Sequence, residues 1–121
     1  ALTKQAASLK ARHGIEVEAL MGEEPEIPLE IKQALYLVAR EALHNTVKHA
    51  KAKHVRLRLT DDENVSVLEI ADDGIGFDTS GSFPGHLGLQ TMSERVAGVQ
   101  GAFEMESAPG QGTRIHVRIP H

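Results

Sequence analysis

From Leu29 to about His49, the positions Ile31, Leu35, Val38, Ala42, Asn45 and His49 recur at alternating steps of four and three, which sets them in one stripe along a helix. A helix with one apolar stripe has to bury it against a second layer, and the flanking sequence supplies strands for that layer. VRLRLT, from Val55, and VSVLEIAD, from Val65 to Asp72, alternate as strands around the turn-rich DDEN, an antiparallel hairpin. FEMES and TRIHVRIP form a second pair around the hairpin loop APGQG. IEVEAL, from Ile15, is one further short strand, followed by an acidic, proline-bearing loop, GEEPEIP. Leu2, Ala6, Leu9 and Ala11 predict a first helix that His13-Gly14 ends, and Leu89, Met92, Val96 and Val99 predict a third that Gly98 and Gly101 close. Residues 77 to 88, rich in glycine, serine and proline, read as a mobile or ligand-ordered loop. The predicted order is α-β-α-β-β-α-β-β, an α+β fold: a two-layer α/β sandwich with helices on one face of a mixed sheet.

A chain of 121 residues supports one domain, residues 1 to 121, with a single core. It has no cysteine, which excludes disulfides and thiolate metal sites and suits a reducing compartment, so a cytoplasmic location is expected. Neither a membrane-spanning run nor the apolar core of a signal peptide is present, and no direct membrane contact is expected. Charge is uneven. Residues 1 to 60 hold ten Lys/Arg against seven Asp/Glu, and residues 61 to 121 hold three against ten. The basic run KHAKAKHVRLR invites a nucleic-acid reading, but one Tyr, three Phe and no Trp leave little for base stacking, and the net charge of -4 repels a phosphate backbone. Seven histidines without an H-x-x-x-H or H-E-x-x-H spacing argue against zinc.

Chemistry concentrates at the end of the long helix and at the end of the second hairpin strand. Asn45 lies on the apolar stripe, where an unpaired amide would cost about 1 to 3 kcal/mol, so it needs a partner: a neighbouring loop, or a hard Mg²⁺ ligated by its carbonyl oxygen. Glu41 stands one turn earlier and Lys48 three residues later, in one narrow arc. Lys48 and His49 suit phosphate oxygens, and equally suit a solvated helix end whose cations complement the macrodipole. Asp72 ends its strand with the same parity as Leu68 and Ile70, and looks inward if theirs is the face that helices cover. An ionised carboxylate only accepts hydrogen bonds, which fits the exocyclic amine of adenine and not the carbonyl of guanine. Gly74 and Gly76 follow in D-x-G-x-G, open to a base's approach or to a sharp turn alone. GHLGL, Gly85 to Leu89, precedes the third predicted helix, whose N-terminal N–H groups suit an anion. Thr113 in GQGT offers a hydroxyl to a base or a bridging water.

Together EALHNTVKHA, DDGIGF and GHLGLQTMSERV resemble the N box and the first and second glycine boxes of histidine kinase ATP-binding domains, in the same order and at similar separation. The resemblance runs to GQGTRIHVRIP and is nearest the nitrate-sensor-like subgroup of two-component sensor histidine kinases. It implies the Bergerat, or GHKL, fold, with ATP and Mg²⁺ held between helices and a lid. By motif position, Asp72 would take the adenine amine, Asn45 the Mg²⁺, and Lys48 and His49 the phosphates. Gly74 and Gly76 would line the pocket, with His86, Leu87, Gly88 and Leu89 at the lid hinge and Thr113 beside the base. Glu41 matches the general base of the ATP-hydrolysing relatives and joins Asn45 and Lys48 as the catalytic set. The second glycine box departs from the usual G-x-G, since His86-Leu87 separate Gly85 from Gly88.

The implied function is transfer of the ATP γ-phosphate to a histidine on a separate helical dimerisation domain of the same kinase, and indirectly to a response regulator. Nothing upstream resembles that domain, so the chain is expected to be an excised, monomeric catalytic domain, the cytoplasmic part of a larger sensor. An anti-sigma-type serine kinase and a non-catalytic ATP-binding module are the alternatives. Because only the phosphates need an ammonium, Lys48→Ala is expected to lose more affinity for ATP than for adenosine, and calorimetry with the two ligands checks this.

Overall fold

The computed structural model of the chain describes residues 14–21, 27–46, 53–61, 64–75 and 86–120. Its elements are β1 (Glu16–Met21), α1 (Leu29–Asn45), β2 (His54–Asp61), β3 (Val65–Asp72), α2 (His86–Gly98), β4 (Ala102–Ser107) and β5 (Thr113–Pro120). The first predicted helix lies outside the described residues. Both predicted hairpins form, β2 with β3 and β4 with β5, each antiparallel. β5 also runs antiparallel along β3, and β1 pairs parallel with β2, so the five-stranded sheet is mixed, in the order β1-β2-β3-β5-β4.

Strand parity decides which face is covered. Leu57, Ile70 and Ile115 lie in one register row, and Leu68 and Val117 in the next; all are buried and share a core with both helices. From α1 come Ile31, Ala34, Leu35, Val38, Ala39, Ala42 and Leu43, and from α2 Leu89, Met92 and Val96. The opposite face is charged. Arg56 Nε lies 3.3 Å from Glu18 Oε2, and Glu69 Oε1 lies 3.7 Å from His116 Nε2 and 3.9 Å from Arg114 Nη2. Such solvent-reached pairs stabilise little individually, and they flank the partly buried Val67 and Ala71 on this face.

α1 starts without a side-chain cap; the Pro28 carbonyl accepts from the N–H groups of Ile31 and Lys32, and Glu30 complements the dipole. α2 starts at His86, so His86, Leu87 and Gly88 belong to a helix and not to the predicted loop. A glycine weakens a helix least in its first turn, where N–H groups have no intrahelical partner to lose. The end of α2 also differs from expectation. Gly98 is still helical, and the left-handed residue is Gln100, at φ 63°. The Gln100 N–H donates to the Ala97 carbonyl at 3.0 Å and the Gly101 N–H to the Val96 carbonyl at 2.9 Å, a Schellman closure.

Gly101 is needed for space. A Cβ there would come within 2.8 Å of both Ile119 Cγ1 and Val96 Cγ1, pinching α2 against β5. Gly101→Ala is therefore expected to destabilise the fold by about 1–3 kcal/mol, whereas Gln100→Gly, which relieves left-handed strain, should stabilise it by up to about 1 kcal/mol. Urea unfolding midpoints of the two variants and the parent check both signs.

Candidate functional site

The apolar face of the sheet ends in a polar row. Val55, Asp72, Thr113 and Ser107 are register neighbours across β2, β3, β5 and β4, one step beyond the row of Leu57, Ile70, Ile115 and Met105. Asp72 is half-buried there. Its Oδ1 accepts from the Gly74 N–H at 2.9 Å, the Thr113 N–H adds a second backbone bond, and its Oδ2 lies 3.4 Å from Thr46 Oγ1. Burial pushes the carboxyl pKa up, partly opposed by the Gly74 and Thr113 N–H groups and the Thr46 hydroxyl, while the adjacent Asp73 charge pushes it further up.

Thr46 is the residue that links the long helix to this row. It is buried, and its hydroxyl sits 3.0 Å from the Ala42 carbonyl. The stripe read from the sequence stepped from Ala42 to Asn45; the buried continuation is the equally regular step to Thr46, and Asn45 is half-exposed. The expectation of a fully buried Asn45 amide therefore does not hold. Glu41, also half-exposed, stands one turn earlier on α1. An amide and a carboxylate, both reachable from solvent and both hard oxygen donors, fit a Mg²⁺ that keeps several of its waters.

Lys48, His49 and Gly76 lie outside the described residues, as does most of the proposed lid. Gly74 is buried and fixes Asp72. His86, Leu87 and Gly88 occupy the first turn of α2, and Leu89 reaches the core. Thr113 opens β5 beside Asp72.

The hairpin loop after β4 closes one side of the site. Gly110, at φ 79°, donates its N–H to the Ile75 carbonyl at 2.6 Å, and Gly112, at φ 75°, lies so close to the Asp72 carbonyl that a Cβ would overlap it. Around this loop and the end of β3 is an open cleft of about 420 Å³ that spans the end of the sheet, lined by Asp72, Ser107 and Thr113 of the inner row and by Ala71, Glu106 and Arg114 of the outer one. Ser107 escaped the sequence reading, although the alternation Phe103, Met105, Ser107 assigns it to the inner face.

Asp73, on the other side of the strand, behaves oppositely. Its Oδ1 accepts from the N–H groups of Lys53 and His54, each at 2.9 Å, and its Oδ2 lies 2.8 Å from His54 Nδ1. These bonds, led by the His54 N–H, hold its pKa down to about 2. They tie the start of β2 to the end of β3 and so brace the strand that carries Asp72.

Residues 30–121 match the family model described as histidine kinase-, DNA gyrase B- and HSP90-like ATPase. The chain is 36% identical over 100 residues to the signal transduction histidine-protein kinase/phosphatase DegS of Brevibacillus brevis, a match covering 83% of this chain and 26% of that protein. It is 39% identical over 97 residues to an uncharacterised sensor-like histidine kinase of Chloroflexus aurantiacus, covering 74% of this chain and 16% of that protein. The chain thus spans about a quarter or less of these relatives. Among solved structures, the histidine kinase domain of the Erythrobacter litoralis EL346 blue-light activated kinase superposes with a TM-score of 0.80 at 24% identity, covering 98% of this chain and 58% of that one, a likeness of fold.

The two neighbouring aspartates should respond to pH with opposite sign. A depressed pKa stabilises above the ordinary carboxylate value of 3.8 and is lost as pH falls toward about 2, so Asp73→Asn should destabilise at neutral pH, the deficit narrowing on acidification. A raised pKa favours the protonated form, so the ionised Asp72 weakens the fold at neutral pH. Asp72→Asn should raise the unfolding midpoint there, the gain fading as pH drops through its pKa; denaturation curves at several pH values read both.

Proposed function

The chain belongs to the histidine kinase-, DNA gyrase B- and HSP90-like ATPase family, and we propose that it is the ATP-binding catalytic domain of a two-component sensor histidine kinase. Its nitrate-sensor-like subgroup and a cytoplasmic position are part of the same reading; no helix among the described residues is long and apolar enough to cross a membrane. The observation that carries it is Asp72, a half-buried acceptor held by the Gly74 N–H beside Thr46 and Thr113, on an open cleft at the end of the sheet.

In this reading Asp72 accepts from the exocyclic amine of adenine, and the raised pKa reflects the partial desolvation that makes such a hydrogen bond selective. The Gly74 N–H holds the carboxylate in place before the base arrives. At the end of α1 the Asn45 oxygen would hold Mg²⁺, which would neutralise phosphate charge, and Glu41 one turn back would stand beside it in the catalytic set. Lys48 and His49 take the phosphate oxygens. Chemistry is placement and charge neutralisation: the bond between the γ-phosphorus and the β–γ bridging oxygen breaks, a bond to an imidazole nitrogen of a separate helical domain forms, and ADP leaves. The phosphoryl group passes from that histidine to a response regulator.

Incubating the chain with Mg-ATP and a histidine-bearing dimerisation domain should give an acid-labile phosphoprotein. An acid-stable label would mark a serine kinase, and ATP binding without any label a binding module. Titration should favour ATP over GTP by on the order of 10²-fold or more, since GTP sets a carbonyl against the carboxylate; equal affinities would remove Asp72 from base recognition.

A further inference from the structure

The hydroxyls of the polar row constrain one another's direction. A hydroxyl carries one proton and two lone pairs. Ser107 Oγ lies 3.0 Å from the Gly112 carbonyl oxygen, and a carbonyl can only accept, so the Ser107 proton is committed there. The same Oγ lies 3.0 Å from Thr113 Oγ1. With the Ser107 proton taken, Thr113 is the donor of that bond, and its own single proton is directed at Ser107. Thr113 Oγ1 is left with lone pairs to offer the cleft. Its register neighbour Asp72, when ionised, also offers only lone pairs.

Left to rotate, a threonine hydroxyl would be an indiscriminate neighbour for a purine, donating to a 6-carbonyl as readily as it accepts from a 6-amine. Resting on the reading of this cleft as an adenine pocket, we propose that Ser107 is a positioning residue for base selection: it locks Thr113 as an acceptor, so that two adjacent acceptors face the six-position of the purine. An amine, with two protons, satisfies both directly or through a shared water. A carbonyl there meets no donor from either side chain.

Ser107 also ties together the two ends of the β4–β5 loop, because Gly112, which receives its proton, abuts the Asp72 backbone. A purely structural tie and a selecting tie make different predictions about nucleotide choice. Loosening the loop weakens all nucleotides alike. Freeing the Thr113 proton weakens ATP and improves a nucleotide with a carbonyl at position six.

The test is calorimetric titration of the chain with ATP and with inosine triphosphate, which differ at that edge of the base. The parent is expected to prefer ATP; Ser107→Ala should narrow the ratio by about fivefold, the worth of one neutral hydrogen bond, and Ser107→Thr, which keeps the hydroxyl, should restore it. If Ser107→Ala does not fold, Thr113→Val, which removes the acceptor, should narrow the same ratio. A parent that prefers ATP while these variants keep its ratio would overturn the inference and leave the adenine reading intact. Equal binding of the two nucleotides by the parent would instead bring down the adenine reading, and the inference with it.

Discussion

The carboxylate of Asp72 sits where the apolar face of the sheet gives out, and its burial outweighs the hydrogen bonds that stabilise its charge, which is why its pKa is raised and not lowered. The groups around it come from three places: the Thr46 hydroxyl at the end of α1, 3.4 Å away and shared with the Ala42 carbonyl, Gly74 in the turn after β3, and Thr113 at the start of β5. None of them is near another in sequence. The acceptor is therefore assembled only when helix, turn and hairpin have docked, and packing of the α1 stripe on Leu57, Leu68 and Val117 is what brings them into range.

Asp73, one residue on, shows how strongly strand parity governs the chemistry. It lies on the exposed side, accepts from backbone N–H groups of Lys53 and His54, and is held ionised. Two identical side chains thus serve as a brace and as a recognition group. The difference between them is water.

Periodicity made much of this legible. The α1 stripe, both hairpins and the inward parity of Asp72 follow from steps of three, four and two, because burial of one face enforces them. Periodicity failed where two steps were equally allowed, as from Ala42 to Asn45 or Thr46, since only the docked sheet decides which is covered. It failed at Gln100 because a left-handed closure usually takes glycine, and here the glycine is needed one residue later for clearance against β5. It placed the start of α2 at Leu89 because a first turn with Gly88 carries little helical signal. Ser107 lay on the readable face of β4 but was overshadowed by Thr113, the hydroxyl it orients.

The outer strands of the sheet carry a further meaning. β1 forms one border, with Glu16 and Glu18 exposed, and β4 the other, with Glu104 and Glu106 exposed. An open strand edge is a template on which a second chain can extend the sheet. Any two borders of this sheet brought side by side, whether like or unlike, would set glutamates against glutamates. Glu18, which pairs with Arg56 inside the sheet, thereby joins the other three as repellents at its rims, discouraging end-to-end growth into fibres.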